Sequence, residues 1–200
     1  MFKIKVPFVC VLVACTLQMN CAGEVYNGGA ERGDLGGWPA FTDGVAAVMQ
    51  HTDTTQSQTY FPRSGDYMFS MAAGPNVEEH MTYLGPTFSS PQTGQFTLRG
   101  FVQTDADDRG IASLVLTTDG PTFVEGQSGF LTSSDGWSMF EVEINTDEPV
   151  TGWVIELDGQ QIGAGDTNVF WDDISITVPE PTSFLLAGWL AAVLMHRFRR

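Results

Sequence analysis

Short segments in which apolar and polar residues alternate run through the middle of the chain. Phe140, Val142 and Ile144, for example, are separated by Glu141 and Glu143. A period of two residues places these side chains on opposite faces of a β-strand, one facing a core and the other facing water. Turn residues separate the segments, and we predict eight strands, at residues 45–51, 66–72, 80–84, 95–104, 111–118, 138–145, 152–157 and 169–177.

The segments between these strands have no helical periodicity. Half-buried antiparallel strands without helical crossovers favour two packed sheets, so the sequence predicts an all-β, antiparallel jelly-roll β-sandwich over residues 24–177. This length suits one domain with a single core. Trp153 is in phase with Ile155 and Leu157, and we expect all three side chains to be buried.

The first 23 residues have the composition of a secretory leader, with two early lysines followed by a mostly apolar stretch. Cleavage after Gly23 would leave the small residues Cys21 and Gly23 at the positions that a signal peptidase reads. We therefore predict a signal peptide over residues 1–23. Lipoprotein processing at Cys15 is the alternative.

The last 23 residues combine three features in order: a proline motif, an uncharged apolar run at 184–195, and three terminal arginines. The motif consists of Val178, Pro179, Glu180 and Pro181. A helix that is apolar on all sides suits lipid, although the run is shorter than the roughly 20 residues of a typical span. Positive flanking charge stays cytoplasmic, so we expect a C-terminal transmembrane helix and export of everything upstream.

Together these features resemble the PEP-CTERM sorting signal of exported bacterial proteins, over residues 178–200. The resemblance implies recognition by an exosortase-type membrane enzyme, cleavage near the Pro-Glu-Pro motif, and delivery to the cell envelope or extracellular matrix. A plain C-terminal membrane anchor is the alternative.

The predicted domain is strongly acidic. Residues 24–178 contain 23 aspartates and glutamates against four arginines and no lysine, a net charge of 19 negative. Such a field repels phosphate backbones and concentrates cations, calcium included. Nucleic acid is therefore excluded as a partner, and most of these carboxylates are expected simply to face water.

Four segments carry a second resemblance: YNGGAE at residues 26–31, GGW at 36–38, SGDYMFSM at 64–71 and VFWDDISI at 169–176. In this order they resemble the galactose-binding-like jelly rolls that include many carbohydrate-binding modules. One departure is Ala30, where an aromatic residue is common. The resemblance implies a jelly-roll domain that binds glycan.

The same resemblance implies a structural calcium ion that ties the first and last strands together through Glu31 and Asp172. Counting by two from Ile176 through Ile174 also places Asp172 on the inward face of the last strand. A buried carboxylate needs a partner, and calcium prefers oxygen ligands. The alternative is that Asp172 caps a nearby turn or bonds Arg32.

Tryptophans are the candidates for sugar contact, because sugar rings stack on exposed aromatic side chains. Trp38 and Trp137 follow glycines in predicted loops, and Trp171 is out of phase with the core residues of its strand, so we expect it to face outward. These three are the predicted ligand-binding residues for an extracellular polysaccharide. For each of them, core packing or loop anchoring is the alternative.

The acidic segment 105–110 resembles the start of a calcium loop only superficially. An EF-hand loop needs oxygen ligands at its fifth and twelfth positions, where this chain has Arg109 and Leu116. We predict a solvated hairpin turn here.

The predicted domain has little that could support catalysis. It contains His51 and His80 but no cysteine and no nucleophile elbow. We therefore predict a non-catalytic exported protein that binds glycan or exopolysaccharide. A purely structural surface or matrix component without a specific ligand is the main alternative, and an undetected hydrolase is a weaker one.

Overall fold

A computed structural model describes residues 25–39, 45–50, 60–73, 78–105, 108–161 and 167–179. Within these ranges the chain forms eight β-strands and no helix. The strands are β1 (Val45–Gln50), β2 (Tyr67–Ala73), β3 (Glu78–Leu84), β4 (Gln92–Thr104), β5 (Asp108–Thr118), β6 (Phe123–Gln127), β7 (Ser138–Gln161) and β8 (Thr167–Thr177).

The eight strands form one hydrogen-bonded antiparallel sheet that folds at β7 into two layers, which we call the first and second sheets. The first sheet has the order β1-β2-β8-β4-β7, and in the second β7 lies between β3 and β5, with β6 beyond β5. The first half of β7 pairs with β4, where Val142 is opposite Leu98. In the second half, Ile155 is opposite Leu114 of β5 and Tyr83 of β3. One strand therefore passes from one layer of the sandwich into the other.

Side chains of both sheets fill the space between the layers. Trp171 of β8 and Phe140 of β7 meet edge to face, with ring centroids 5.5 Å apart. Across the sandwich, a Cβ atom placed on Gly110 of β5 would lie 2.7 Å from the Trp171 ring, and one placed on Gly159 of β7 would lie 3.2 Å from the Met71 sulfur. Glycines thus allow the two layers to approach where the large side chains lie, and the predicted β-sandwich is confirmed.

The strand predictions differ from the structure in two places. The segments predicted at 138–145 and 152–157 are parts of the single strand β7. They were predicted as two strands because the Asp-Glu-Pro sequence between them suggests a turn. Strand β6 was not predicted, since its five residues are interrupted by Gly126. The predicted burial of Trp153, Ile155 and Leu157 is confirmed.

The prediction of a solvated hairpin at 105–110 is wrong, because β4 and β5 lie in different sheets and do not pair. The Asp108 carboxylate is buried and accepts a hydrogen bond from the Asn168 backbone N–H at 2.5 Å. The Asn168 side chain donates to Asp105 at 2.9 Å. These two carboxylates join the crossover between the sheets to the start of β8.

The predicted signal peptide and most of the predicted sorting signal, including Glu180 and Pro181, lie outside the described residues. Val178 and Pro179 end the described chain. Within the part that is described, no helix is long and apolar enough to cross a membrane. The leader, the membrane helix and the sorting motif therefore stay predictions.

Candidate functional site

The second sheet presents a mixed polar and apolar surface on the side that faces away from the core. We call this surface the recessed face. It is formed by His80, Thr82 and Leu84 of β3, Val154, Glu156, Asp158 and Gln160 of β7, Arg109, Ile111, Ser113 and Val115 of β5, and Phe123, Glu125 and Gln127 of β6.

Strand register aligns these side chains into rows across the four strands. One row runs from Thr82 through Glu156 and Ser113 to Gln127. Side chains opposite each other on one face of an antiparallel sheet lie about 5 Å apart. A polar stripe of a hydroxyl, a carboxylate, a second hydroxyl and an amide therefore crosses the middle of the face.

The face is sunken along its central strands. The Ser113 side chain points away from the core but is only 1% exposed, and Val115, Val154 and Glu156 are partly buried. The recessed face is therefore a shallow trough, with β5 and β7 along its floor.

Negative charge is concentrated in this trough. Partial burial raises the pKa of the Glu156 carboxyl, and the neighbouring Asp158 and Glu125 carboxylates raise it further, while His80 acts in the opposite direction. His80 Nδ1 contacts Asp158 Oδ1 directly. The Glu156, Asp158 and Glu125 carboxylates could therefore accept hydrogen bonds from a ligand or lie beside a bound cation.

Exposed phenylalanines lie near the two ends of the trough. Phe123 is 66% exposed beside the Thr117 end of β5, and Phe130 is 62% exposed beside the Arg109 end. The Arg109 guanidinium carbon lies 3.7 Å from the Phe130 ring centroid, and its Nε donates to Gln160 Oε1 at 2.9 Å. The eight residue-to-residue steps from Arg109 to Thr117 along β5 span about 27 Å.

This arrangement can hold an extended polar polymer. The aromatic rings offer apolar surfaces for stacking, while the amides, carboxylates and hydroxyls between them offer hydrogen-bond partners. A long open trough suits a chain of repeating units better than a single small molecule.

Two of the three tryptophans predicted to bind ligand are in the core. Trp38 and Trp171 are both 0% exposed. Trp38 packs against Phe69 and Tyr83, with ring centroids 5.2 and 5.1 Å away. The expectation that these two side chains present a face to a ligand is therefore wrong, and core packing, the alternative, is what the structure has.

The outward placement of Trp171 was wrong because β8 contains a bulge. The pairing of β4 with β8 shifts between Arg99 and Phe101, and Asp173 has a positive φ of 51°. A bulge adds one residue to a strand and reverses the side to which earlier residues point. Trp171 consequently joins Ile174 and Ile176 in the main core, while Asp172 points to the opposite side.

Trp137 keeps a partly exposed position on the first sheet, away from the recessed face. It packs against a small cluster of Tyr60, Met68 and Phe170. Its indole N–H donates to the backbone carbonyl of Phe61 at 2.9 Å. Ligand contact by Trp137 stays a prediction. The three tryptophans do not form one site, because Trp38 and Trp171 lie in the main core and Trp137 packs against a separate cluster.

Asp172 is fully buried, as predicted, but against a loop rather than in the main core. Its Oδ2 accepts hydrogen bonds from the backbone N–H groups of Arg63 at 2.8 Å and Ser64 at 3.2 Å. Burial raises the pKa of the Asp172 carboxyl to about 6, with a contribution in the same direction from Asp173, against the lowering effect of these hydrogen bonds. The carboxylate therefore caps the turn at residues 63 and 64, which is one of the alternatives left open.

Glu31 binds the next part of the same loop. Its two carboxylate oxygens accept the backbone N–H groups of Asp66 at 3.1 Å and Tyr67 at 3.3 Å. A Cβ atom placed on Gly29 would lie 3.4 Å from Asp172 Oδ1 and 3.7 Å from Glu31 Cγ. The first loop, the 63–67 loop and the last strand therefore meet around two carboxylates.

The predicted calcium ligands have suitable chemistry, since both are carboxylates and one is buried with a raised pKa. In the part of the chain that the structure describes, however, no group of three or more histidine, cysteine or carboxylate side chains could hold a metal ion. Further oxygen ligands would have to come from backbone carbonyls, amide or hydroxyl side chains, or water. The calcium ion stays a prediction.

The recessed face was not predicted, although the alternation that reveals it is in the sequence. Glu156 and Asp158 alternate with Ile155 and Leu157, which were expected to face the core. The outward-facing residues of a predicted strand can thus be recognised in the sequence. Which strands lie beside that strand cannot be recognised. Looking for tryptophan alone also missed the exposed phenylalanines.

Comparison with other proteins relates this geometry to known folds. No protein-family profile matches the chain, and no curated protein matches it. Among solved structures, a family 16 carbohydrate-binding module has a TM-score of 0.56 at 14% identity, covering 76% of this chain and 98% of that module. The module TmCBM61, solved with β-1,4-galactotriose, has a TM-score of 0.54 at 16% identity, covering 78% and 99%.

Part of a protein of a different class is also similar in fold. The enzymatically active domain of tailspike protein 4 from bacteriophage CBA120 has a TM-score of 0.58 at 10% identity, and the match covers 79% of this chain but 22% of the tailspike chain. At these identities the likenesses concern the fold alone. The chain has the β-sandwich fold of carbohydrate-binding modules.

Proposed function

We propose that this protein is an exported, non-catalytic glycan-binding protein that holds extracellular polysaccharide on the recessed face. The observation that carries the proposal is a sunken polar stripe, around Glu156 and Ser113, between two exposed aromatic side chains on one sheet. The likeness in fold to carbohydrate-binding modules supports it. The leader, the membrane helix and the exosortase-type partner, all read from the sequence, support delivery to the envelope or matrix.

The test is binding of the purified protein to a panel of immobilised polysaccharides and oligosaccharides. We expect Phe123→Ala to weaken binding about tenfold, equivalent to about 1.4 kcal/mol, because a stacking surface is lost. Met139→Ala is the matched control, since Met139 is 63% exposed but lies on the first sheet. Both residues are exposed, so neither change should alter the unfolding midpoint.

Other outcomes separate the alternatives. No binding to any member of the panel would contradict the proposal and favour a structural surface or matrix component. Equal loss in Phe123→Ala and Met139→Ala would place the site elsewhere. Release of shortened glycans during incubation would identify a hydrolase.

Trp137 offers a second test of ligand contact. It is the one predicted tryptophan with a partly exposed ring among the described residues. If it forms a separate contact on the first sheet, Trp137→Ala and Phe123→Ala should each weaken binding, and their effects should add because the residues lie on different sheets.

A further inference from the structure

We infer that the recessed face selects amino sugars: the glycan it takes carries protonated amino groups in preference to acetylated or acidic ones. This rests on the proposed function and adds the charge class of the ligand. Three features of the face carry the inference: its carboxylates, the placement of its cations, and a shielded hydroxyl at its centre.

The carboxylates are close enough to influence one another. Glu125 lies on β6, and Glu156 and Asp158 lie on β7; these two strands flank β5, and the Asp158 and Glu125 carboxylates both raise the pKa of Glu156. Like charges held together in a partly buried trough repel each other, and a bound cation would relieve that repulsion. A ligand carrying carboxylates would increase it.

The guanidinium groups of Arg109, Arg63 and Arg99 lie at one end of the face or on the first sheet, away from the middle of the trough. Arg109 lies at the Phe130 end, over that ring, and donates to Gln160. The Arg63 and Arg99 guanidinium groups contact Asp173 and Glu141, which belong to the first sheet. Recognition of a sugar carboxylate commonly uses a free guanidinium, and the described residues place none in the middle of the trough.

The Ser113 hydroxyl marks the centre of the face. Its residue is 1% exposed and stands between Glu156 and Gln127 in the strand register. Among the described residues no hydrogen-bond partner is seen for this hydroxyl. Buried polar groups normally have partners, so the hydroxyl is suited to a hydrogen bond with a ligand lying along the trough, beside the Glu156 carboxylate.

A protonated amine satisfies this arrangement better than an acetamide. It donates up to three hydrogen bonds, and bonds from a cation to a carboxylate are shorter and about twice as strong as neutral ones. An acetamide keeps one donor and no charge. The acidic field of the whole domain acts in the same direction, attracting cationic polymers and repelling anionic ones.

The experiment compares three probes of equal length on the full protein: a β-1,4-linked glucosamine oligomer, its N-acetylated counterpart, and an oligogalacturonate. At a pH where the amines are protonated, we expect the amine oligomer to bind at least tenfold more tightly than the acetylated one, and the uronate not to bind. Glu156→Gln should reduce the preference to about threefold or less. Glu143→Gln, an exposed carboxylate on the first sheet, should leave it unchanged.

The outcomes distinguish this inference from the function on which it rests. Equal affinity for the amine and acetylated oligomers, or tighter binding of the uronate, would overturn the inference while the protein still bound glycan. So would binding of some other neutral polysaccharide with none of the three probes bound. Equal effects of the Glu156 and Glu143 substitutions would also overturn it. Failure to bind any polysaccharide would overturn both.

Discussion

At the residue scale, single side chains explain both what could be predicted and what could not. The burial of Asp172 was expected from the pattern of the last strand and is confirmed. The side of the sheet to which Asp172 points was not predicted correctly. Counting by two assumes a regular strand, and the extra residue at Asp173 shifts the alternation by one. Nor could the pattern indicate that a loop 108 residues away in sequence, at Ser64, would cover the carboxylate.

The raised pKa of Asp172 makes stability depend on pH. The folded-state pKa of about 6 lies above the ordinary value of 3.8, so the folded protein binds the proton more readily than the unfolded chain. The resulting stabilisation is full below pH 3.8 and is lost as the pH rises through about 6. A shift of this size corresponds to at most about 3 kcal/mol.

We therefore expect the free energy of unfolding of the wild type, relative to that of Asp172→Asn, to increase as the pH falls from 7 to 4.5 in the presence of chelator. Urea unfolding at several pH values measures it. A difference between the two proteins that does not change with pH would contradict the assignment. The comparison with the variant removes the contribution of the other carboxylates.

Calcium should reverse this trend if it binds Glu31 and Asp172, because it favours the ionised carboxylate. At neutral pH we expect calcium to raise the melting temperature by several degrees relative to chelator, through preferential binding to the folded state. The increase should shrink below pH 6, where Asp172 takes up a proton. Identical melting curves at neutral pH would exclude the ion.

At the element scale, alternation predicted most strands because each strand buries one face, which leaves a local signal. It did not predict that β7 continues past Pro149, since a proline without an N–H normally ends pairing. It also could not indicate which strands are neighbours. The recessed face depends on the placement of β3 and β5 on either side of β7, and that order arises from tertiary packing.

Close contact between the two sheets leads to a prediction at Gly110. A Cβ atom there would lie 2.7 Å from the buried Trp171 ring, so Gly110→Ala should force the layers apart and destabilise the fold by about 1 to 3 kcal/mol. Gly120→Ala is the control, because its added Cβ would lie no closer than 3.8 Å to any other atom. Chemical denaturation of both variants measures the difference, and similar midpoints would mean that the layers tolerate the extra methyl group.

At the scale of the whole molecule, composition leads to predictions that no local pattern gives. The net negative charge of residues 24–178 and the two apolar termini predicted the environment of the protein without reference to its fold. The fold class could also be predicted, because sandwiches follow from short alternating strands without helices. The charge class that we infer for the ligand could not be predicted, since it depends on which carboxylates come together.

Delivery is the prediction that belongs to this scale. Replacing Pro179, Glu180 and Pro181 by alanine should leave the protein in the membrane fraction instead of the outer envelope or matrix, because the motif that the exosortase-type enzyme reads is gone. Immunoblotting of cell fractions measures this. The matched control is Pro149→Ala, an exposed proline outside the motif. Unchanged delivery of the triple variant would indicate a plain anchor.

The passage of β7 through both layers has a mechanical consequence. A polymer pulling on Glu156 or Asp158 pulls directly on β7, whose first half is hydrogen-bonded to β4, and β4 is bonded in turn to β8. Strand β8 leads to Pro179, where the described chain ends. Load applied to the second sheet is thus carried to Pro179 by one covalent strand and two successive ladders of hydrogen bonds, and pulling the two apart requires unpairing at least one of those ladders.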